Sequence, residues 1–228
     1  RDLVARWRSA GLLVVFDVDD LVVDPTRVDE VPGIDRLSSD ERAHYLDGLH
    51  RYRTTLEHCD GVIVPTDPLA ETIATTTGLP TAVVANGIGL VELRLAIAAE
   101  AATGPGTQLA YFSGSDSHQP DLDLIAEQLA AVLRERPETE LLLVGPIAPG
   151  PSLAEFGDRV RRRGFQPWDR LYGQLATVDV NLAPLVLPSA FNEAKSAIKW
   201  LEAAAVGVPT VASASRPFVD AIDDGRTG

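Results

Sequence analysis

Short apolar runs alternate along this chain with longer stretches of helical period. Leu12 to Phe16, Val62-Ile63-Val64, Ala82 to Ala85, Leu109 to Phe112, Leu141 to Val144, Val178 to Ala183 and Thr210-Val211-Ala212 read as strands. The first runs into Asp17-Val18-Asp19-Asp20, as expected of a buried parallel strand with acids at its carboxyl end. Between the runs lie helix signals. Ser38-Ser39-Asp40-Glu41 is a capping box, followed by an apolar stripe of Leu46, Leu49, Leu56 and Cys59. Asp67 caps a second helix with Pro68 at its first position, and Gly78 closes it. Val91 to Ala102, Pro120 to Leu133 and Leu153 to Arg163 read as further helices, the last with arginines at its end, where they suit the macrodipole. Asp24 to Leu37, rich in Asp, Pro and Gly, reads as a loop. The strand–helix rhythm predicts an α/β fold. Thr103-Gly104-Pro105-Gly106-Thr107 breaks it and marks a domain boundary, giving units of 1–103 and 104–228.

The most informative stretch is Phe191 to Ser213. Asn192 can cap a helix, Gly207 and Pro209 end it, and a short strand follows. At 100° per residue, Lys195, Lys199 and Glu202 fall on one stripe of that helix. Cations near a helix start, beside free backbone N–H groups, make an anion site. A carboxylate one turn later can accept hydrogen bonds from a diol. A diphosphate joined to a ribose is the ligand such an array suggests, and a solvated face with an ordinary Lys–Glu pair is the plainer alternative.

Glu193-Ala194-Lys195-Ser196, then Lys199-Trp200-Leu201-Glu202, then Gly207-Val208-Pro209-Thr210-Val211-Ala212-Ser213, resembles the donor-binding segment of retaining GT-B glycosyltransferases. These are the glycogen-synthase-like enzymes of glycosyltransferase group 1 (family 4). The Ala-Lys-Ser form is similar to the surface-polysaccharide branch. The resemblance implies two Rossmann-like domains with parallel sheets. It makes 1–103 a partial acceptor-side domain with its linker, and 104–228 a donor-side domain cut short at its end. It gives Glu202 the donor ribose, and Lys195 and Lys199, with Asn192, Glu193 and Ser196 beside them, the leaving diphosphate. The usual motif carries a second Glu eight positions before Glu202, where this chain has Ala194 and, one place off, Glu193. Phe-Asp-Val-Asp-Asp at 16–20 resembles a segment of the same branch, which implies a role in the sugar-transfer cleft for Asp17, Asp19 and Asp20.

The second half offers further donor-site candidates. Ser113-Gly114-Ser115-Asp116-Ser117-His118 follows a strand. Its glycine allows close backbone approach and its serines offer donors to phosphate. Turns use the same residues. The resemblance points this loop, with Gly114, Ser115 and His118, at the donor. It lacks the Arg and Lys that many relatives carry beyond it, and His118 stands as a partial replacement. Gly145 ends the next strand. Gly164 to Trp168 corresponds to the stretch that cradles the nucleotide base, making Phe165 and Pro167 the base-pocket candidates and Trp168 a packing residue.

Net charge is −13, and no basic block exceeds Arg161-Arg162-Arg163, so nucleic acid is not an expected partner. One cysteine, Cys59, excludes an internal disulfide, and the four histidines show no zinc spacing. No metal or cofactor is expected. No apolar run would span a bilayer and no signal peptide opens the chain. A cytoplasmic protein is predicted, and any peripheral membrane association would run through segments outside this chain. The absence of methionine suggests a piece of a longer product.

Three functions stay open on the residues. The resemblance implies metal-independent, retaining transfer from a nucleotide-diphosphate sugar to a glycan or lipid-linked acceptor, as in polysaccharide synthesis. Asp17 and Asp19 after a hydrophobic strand also fit a haloacid dehalogenase-like phosphatase, with Val62 to Thr66 mimicking its second motif. A non-catalytic sugar-nucleotide-binding fragment is the third.

Overall fold

A computed structural model describes residues 2–101 and 106–228. In chain order its elements are α1 (Asp2–Ser9), β1 (Val15–Asp17), α2 (Ser39–Leu56), β2 (Gly61–Val64), α3 (Asp67–Thr77), β3 (Thr81–Val83), α4 (Leu90–Ala98), β4 (Gln108–Phe112) and α5 (Gln119–Glu135). Then follow β5 (Glu140–Val144), α6 (Pro151–Ala154), β6 (Val160–Arg163), α7 (Trp168–Leu175), β7 (Val180–Ala183), α8 (Ala190–Glu193), α9 (Ile198–Ala205), β8 (Thr210–Ala212) and α10 (Arg216–Ala221). The chain divides into two compact units. One comprises Arg1–Asn86 with Leu187–Ser196, the other Gly87–Val186 with Ala197–Gly228. Of the interruption expected at 103–107, residues 103–105 lie outside the described ones, as does the expected helix end at Ala102.

The first unit is built on a parallel sheet of order β1-β2-β3. Val62 and Val64 alternate inward from β2 and meet Leu56 of α2 and Leu69 and Ile73 of α3. Ser38 and Glu41 form the expected capping box of α2. Thr66, not Asp67, caps α3, its hydroxyl accepting from the Leu69 N–H. Phe191 and Ala194 lie in this core, which is why a segment so late in the chain belongs to the first unit. The stretch 24–37 is more ordered than a loop. Two 3-10 turns, Pro25–Glu30 and Ile34–Arg36, bury Val28 and Ile34 against Leu49. The buried first strand expected at 12–16 is shorter and more exposed. It begins at Val15 on the edge of the sheet, and Leu12 and Leu13 stand in solvent. An apolar run alone does not separate an edge strand from a central one.

The second unit carries a five-stranded parallel sheet of order β6-β5-β4-β7-β8. Helices cover both faces. Tyr111, Leu141 and Leu143 point to one side, against Leu122, Leu129 and Leu133 of α5. Ala110, Leu142 and Val144 point to the other, against Leu175 of α7 and Ala203 of α9. A strand buried on both faces needs no polar alternation, so Leu141 to Val144 reads as unbroken apolar sequence. Truncating Leu142 to alanine would cost roughly 2–5 kcal/mol by the usual cavity penalty.

Two helix expectations fail for local reasons. The helix at 153–163 stops at Ala154, and Gly157 takes a left-handed φ of +54° that no helix continues through. Val160–Arg163 then pairs with β5 as an edge strand. Arg161 bonds Glu140, and Arg162 donates to the Ile147 carbonyl at 3.1 Å. Consecutive arginines on an exposed edge suit a strand as well as a helix end. The second failure, at 191–206, concerns the candidate site itself.

Candidate functional site

The expected single helix from 192 to 206 is two helices. Ser189 caps α8, accepting from the Asn192 N–H at 3.4 Å, so Asn192 is an interior residue and not the cap. Helical bonding ends at Lys195, whose N–H donates to the Asn192 carbonyl. The Ala194 carbonyl is taken by the Thr66 hydroxyl at 2.8 Å. Ser196 Oγ accepts from Asn86 Nδ2 at 2.9 Å. Ala197 sits at φ −78°, ψ 32°, outside the helical well, and α9 starts after it. Lys195 is therefore not on one stripe with Lys199 and Glu202. It belongs to the first unit and they belong to the second. Only i, i+3 and i+4 spacing within one helix stacks side chains, so the pattern of three is a pattern of two. Ala203 is fully buried, and Ala204 is exposed.

In the second unit the candidates gather at the carboxyl edge of the sheet. β4 precedes β5 and β6 on one side and β7 and β8 on the other, so strand order reverses between β4 and β7. Ligands of open α/β sheets sit outside the strand ends at such a reversal. From α9, the Lys199 ammonium reaches the end of β4. It donates to the Phe112 carbonyl at 2.9 Å and lies 4.4 Å over the Tyr111 ring. Asn181, buried in β7, donates to the Lys199 carbonyl and to Thr210 Oγ1, both at 3.1 Å, and so pins the start of α9 to the sheet. Glu202, one turn on, is half-buried. Burial pushes its carboxyl above the ordinary range, and Lys199 opposes that only in part.

The loop after β4 is held by its own serines. Ser113 Oγ donates to the Ser115 carbonyl at 2.7 Å, and the Ser115 and Ser117 hydroxyls bond each other. Gly114 is exposed, and a Cβ there would meet nothing within 4 Å. Gly145 is the opposite. It is buried at φ +113°, and a Cβ would collide with the Ser113 carbonyl. The loops after β4 and β5 thus touch through a position that only glycine fills. His118 closes a 3-10 turn, and its Nδ1 lies 3.0 Å from Asp121 Oδ2. Phe165, Pro167 and Trp168 follow β6, and all three are exposed. Trp168 is 59% accessible and does not pack as expected, because α7 turns Tyr172 and Leu175 inward and leaves its first residue in solvent.

In the first unit the acids line a cavity of about 360 Å³ formed by Phe16, Asp17, Val18, Asp19, Asp20, Val22 and Tyr52. Tyr52 meets Phe16 edge to face at 6.3 Å. Burial and the neighbouring charges of Asp17 and Asp20 raise the Asp19 carboxyl above its ordinary value. Lys195 lies 3.4 Å from Asp20 and 4.6 Å over the Phe191 ring. Glu193 is half-buried on α8. Among the described residues no cluster of three or more His, Cys, Asp or Glu could hold a metal, and no helix is long and apolar enough to cross a membrane. Sequence reasoning missed Asp121, Asn181 and Tyr52. Asn181 is a single polar residue in an apolar strand, a signal that marks buried hydrogen bonding, whereas Asp121 lies between Gln119 and Asp123 and carries no such signal.

Residues 107–228 match the family model of glycosyl transferases group 1. That is more than half of the chain, and the protein belongs to this family. Its fold is that of solved GT-B structures. WaaG, a glycosyltransferase of lipopolysaccharide biosynthesis, aligns over 96% of this chain and 64% of its own, with TM-score 0.60 and 17% identity. HepE of Anabaena, in complex with UDP and glucose, aligns over 97% of this chain and 58% of its own (TM-score 0.58, 17% identity). Sucrose-phosphate synthase of Thermosynechococcus elongatus aligns over 96% and 55% (TM-score 0.58, 17% identity). The chain therefore spans between about half and two thirds of the length of these three structures. No match was found among curated proteins.

Proposed function

We propose that this chain is part of a retaining, metal-independent glycosyltransferase that takes its sugar from a nucleoside-diphosphate donor and passes it to a glycan or lipid-linked acceptor. In this reading the second unit holds the donor and the first serves the acceptor. The observation that carries it is the Lys199 ammonium at the end of β4, beside the strand-order reversal, with Glu202 one turn on. An ammonium fixed there offsets the charge that builds on a diphosphate as the glycosidic bond breaks. The Glu202 carboxylate accepts from the ribose hydroxyls. The bare face of Gly114 and the donors of Ser115 and His118 give phosphate oxygens a close approach to backbone and side chain. Exposed Phe165 and Pro167 offer a flat apolar surface to the base. UDP is the first base to test, since the HepE structure contains it.

In the first unit, Asp17, Asp19 and Asp20 offer acceptors to sugar hydroxyls, with Tyr52 as an apolar wall. The raised Asp19 carboxyl makes it the acid of the three suited to exchange a proton with an attacking hydroxyl. Family membership and fold favour this reading over the Asp-x-Asp phosphatase. The test is calorimetric titration of UDP, ADP and GDP into wild type and Glu202→Ala. Micromolar binding of one of them, weakened about tenfold in the variant, is the expected result for a lost charged hydrogen bond. Equal affinity for both proteins would remove Glu202 from the ribose. A chain that binds none of the three would overturn the donor reading.

A further inference from the structure

Asp121 has no part in the donor reading so far, yet it is the most deeply buried carboxylate of the second unit. It stands in the first turn of α5 with no exposed surface. Its two oxygens go to two different loops. Oδ2 meets His118 Nδ1 at 3.0 Å, in the loop after β4. Oδ1 accepts the Val186 N–H at 2.9 Å, in the segment after β7. These two strands flank the reversal of strand order. One buried side chain thus ties together the two walls of the crevice in which an open α/β sheet places its ligand.

The pairing fixes the histidine chemically. A buried carboxylate bonded to a backbone N–H is an acceptor only, so the ring nitrogen facing it is the one that carries a proton. The main chain at His118 is held as well, since the Tyr111 hydroxyl donates to its backbone carbonyl at 3.3 Å. With Nδ1 committed to Asp121, Nε2 is the nitrogen left for a ligand. Once that nitrogen is protonated too, the ring is a cation whose outer N–H can bond a phosphate oxygen, and Asp121 balances the charge from the other side.

We infer that Asp121 is a positioning residue for donor binding: it locks the His118 ring with Nδ1 inward, so that Nε2 serves as a charged donor to the diphosphate, and it holds the loop after β7 beside it. This rests on the donor reading above. An Asp121→Asn variant keeps the shape and splits the two duties. The amide oxygen stays with the Val186 N–H, and the amide NH₂ turns to Nδ1, which must then accept. The ring becomes a neutral Nε2–H tautomer, still a donor but no longer a cation.

The experiment is a double-mutant cycle with Asp121→Asn and His118→Gln, read by calorimetric UDP and pyrophosphate affinity, beside ¹⁵N spectra of the histidine rings in wild type. His118 is assigned by its absence from His118→Gln. We expect each single variant to weaken binding about tenfold, the value of one charged hydrogen bond, and the double variant to be no weaker than either single. The wild-type spectrum should show a protonated Nδ1. Additive losses would overturn the proposal, because Asp121 would then act only through the Val186 loop or the helix end. A wild-type ring protonated at Nε2 alone would overturn it without any variant, and so would decide the matter even if Asp121→Asn failed to fold. Should wild type bind neither probe, the donor reading falls and the diphosphate role with it, while the spectrum still tests the lock on the ring.

Discussion

The two units share a plan and differ in what they put at the carboxyl ends of their strands. The first ends β1 in three carboxylates, and the ammonium nearest them, Lys195, lies 3.4 Å from one. The second ends β4 in a loop of hydroxyls and a histidine, and its nearby ammonium, Lys199, is bonded to a neutral carbonyl. A lysine beside a carboxylate is largely spent on it. Lys199 donates to the Phe112 carbonyl at the end of β4 and has Glu202 one turn on, a carboxyl it partly offsets. In the proposed reading the two sheets serve opposite ligands: one edge would accept hydrogen bonds from hydroxyls, the other donate them to phosphate.

The largest effect expected from breaking this contrast is at the backbone. Gly145 lies at φ +113° with the Ser113 carbonyl where a Cβ would be, so Gly145→Ala must push apart the loops after β4 and β5 of the second unit. Strained φ and a backbone clash together predict a loss of about 3 kcal/mol. In the first unit, Gly61→Ala meets the Pro80 carbonyl at 3.0 Å with no unusual φ, and a small shift relieves it. Chemical denaturation of the two variants should separate them clearly. Equal losses would mean that the loops after β4 and β5 are no more constrained than a strand start in the first unit.

The strand pattern and the α/β class were readable because a strand covered on both faces leaves an unbroken apolar run, and Leu141 to Val144 is such a run. The capping box at Ser38 was readable because its bonds are local. What could not be read depends on distant partners. The break between α8 and α9 comes from Thr66 and Asn86, more than a hundred residues away in sequence, which engage Ala194 and Ser196. No periodicity within 191–206 reports them. The arginine strand β6 was hidden because an exposed edge strand and a solvated helix end draw on the same residues. Asp121 was hidden because a carboxylate early in a helix has an ordinary explanation in the helix dipole.

The next prediction compares the two lysines. If their partners decide their use, Lys199→Ala should weaken nucleoside-diphosphate binding about 10–100-fold, the range for losing a charged donor. Lys195→Ala should leave nucleotide affinity within about twofold, a difference of under half a kcal/mol. Its effect should fall instead on transfer to acceptor, through the Asp20 carboxylate it accompanies. Titration of both variants with UDP decides it. Equal weakening would show that the two cations act as one site in spite of their different partners.

The smallest effect sharpens the contrast through pH. Asp19 and Glu202, one in each unit, are both raised by burial, but only Glu202 has a lysine opposing the shift. A carboxyl whose folded value lies above its unfolded one binds a proton more readily in the folded chain. Stability therefore falls as pH rises from the unfolded value through the folded one, and the ionised group costs stability above that window. Replacing either acid by its amide removes the cost. Glu202→Gln should raise the melting temperature at pH 7, Asp19→Asn by less because Asp19 is exposed and screened, and both should lose that advantage as the pH falls into the ordinary carboxyl range. The same substitution at Glu202 should weaken nucleotide binding at pH 7, since a neutral amide is a poorer partner for the ribose diol, whereas Asp19→Asn should leave nucleotide affinity unchanged. In wild type, binding that depends on ionised Glu202 should fade as the pH drops through its raised value. Melting curves and UDP titrations across that range test both halves. A Glu202→Gln protein more stable at pH 7 and equally tight for UDP would leave the carboxylate a buried cost with no ligand to justify it, and the donor-side edge would then rest on its cations alone.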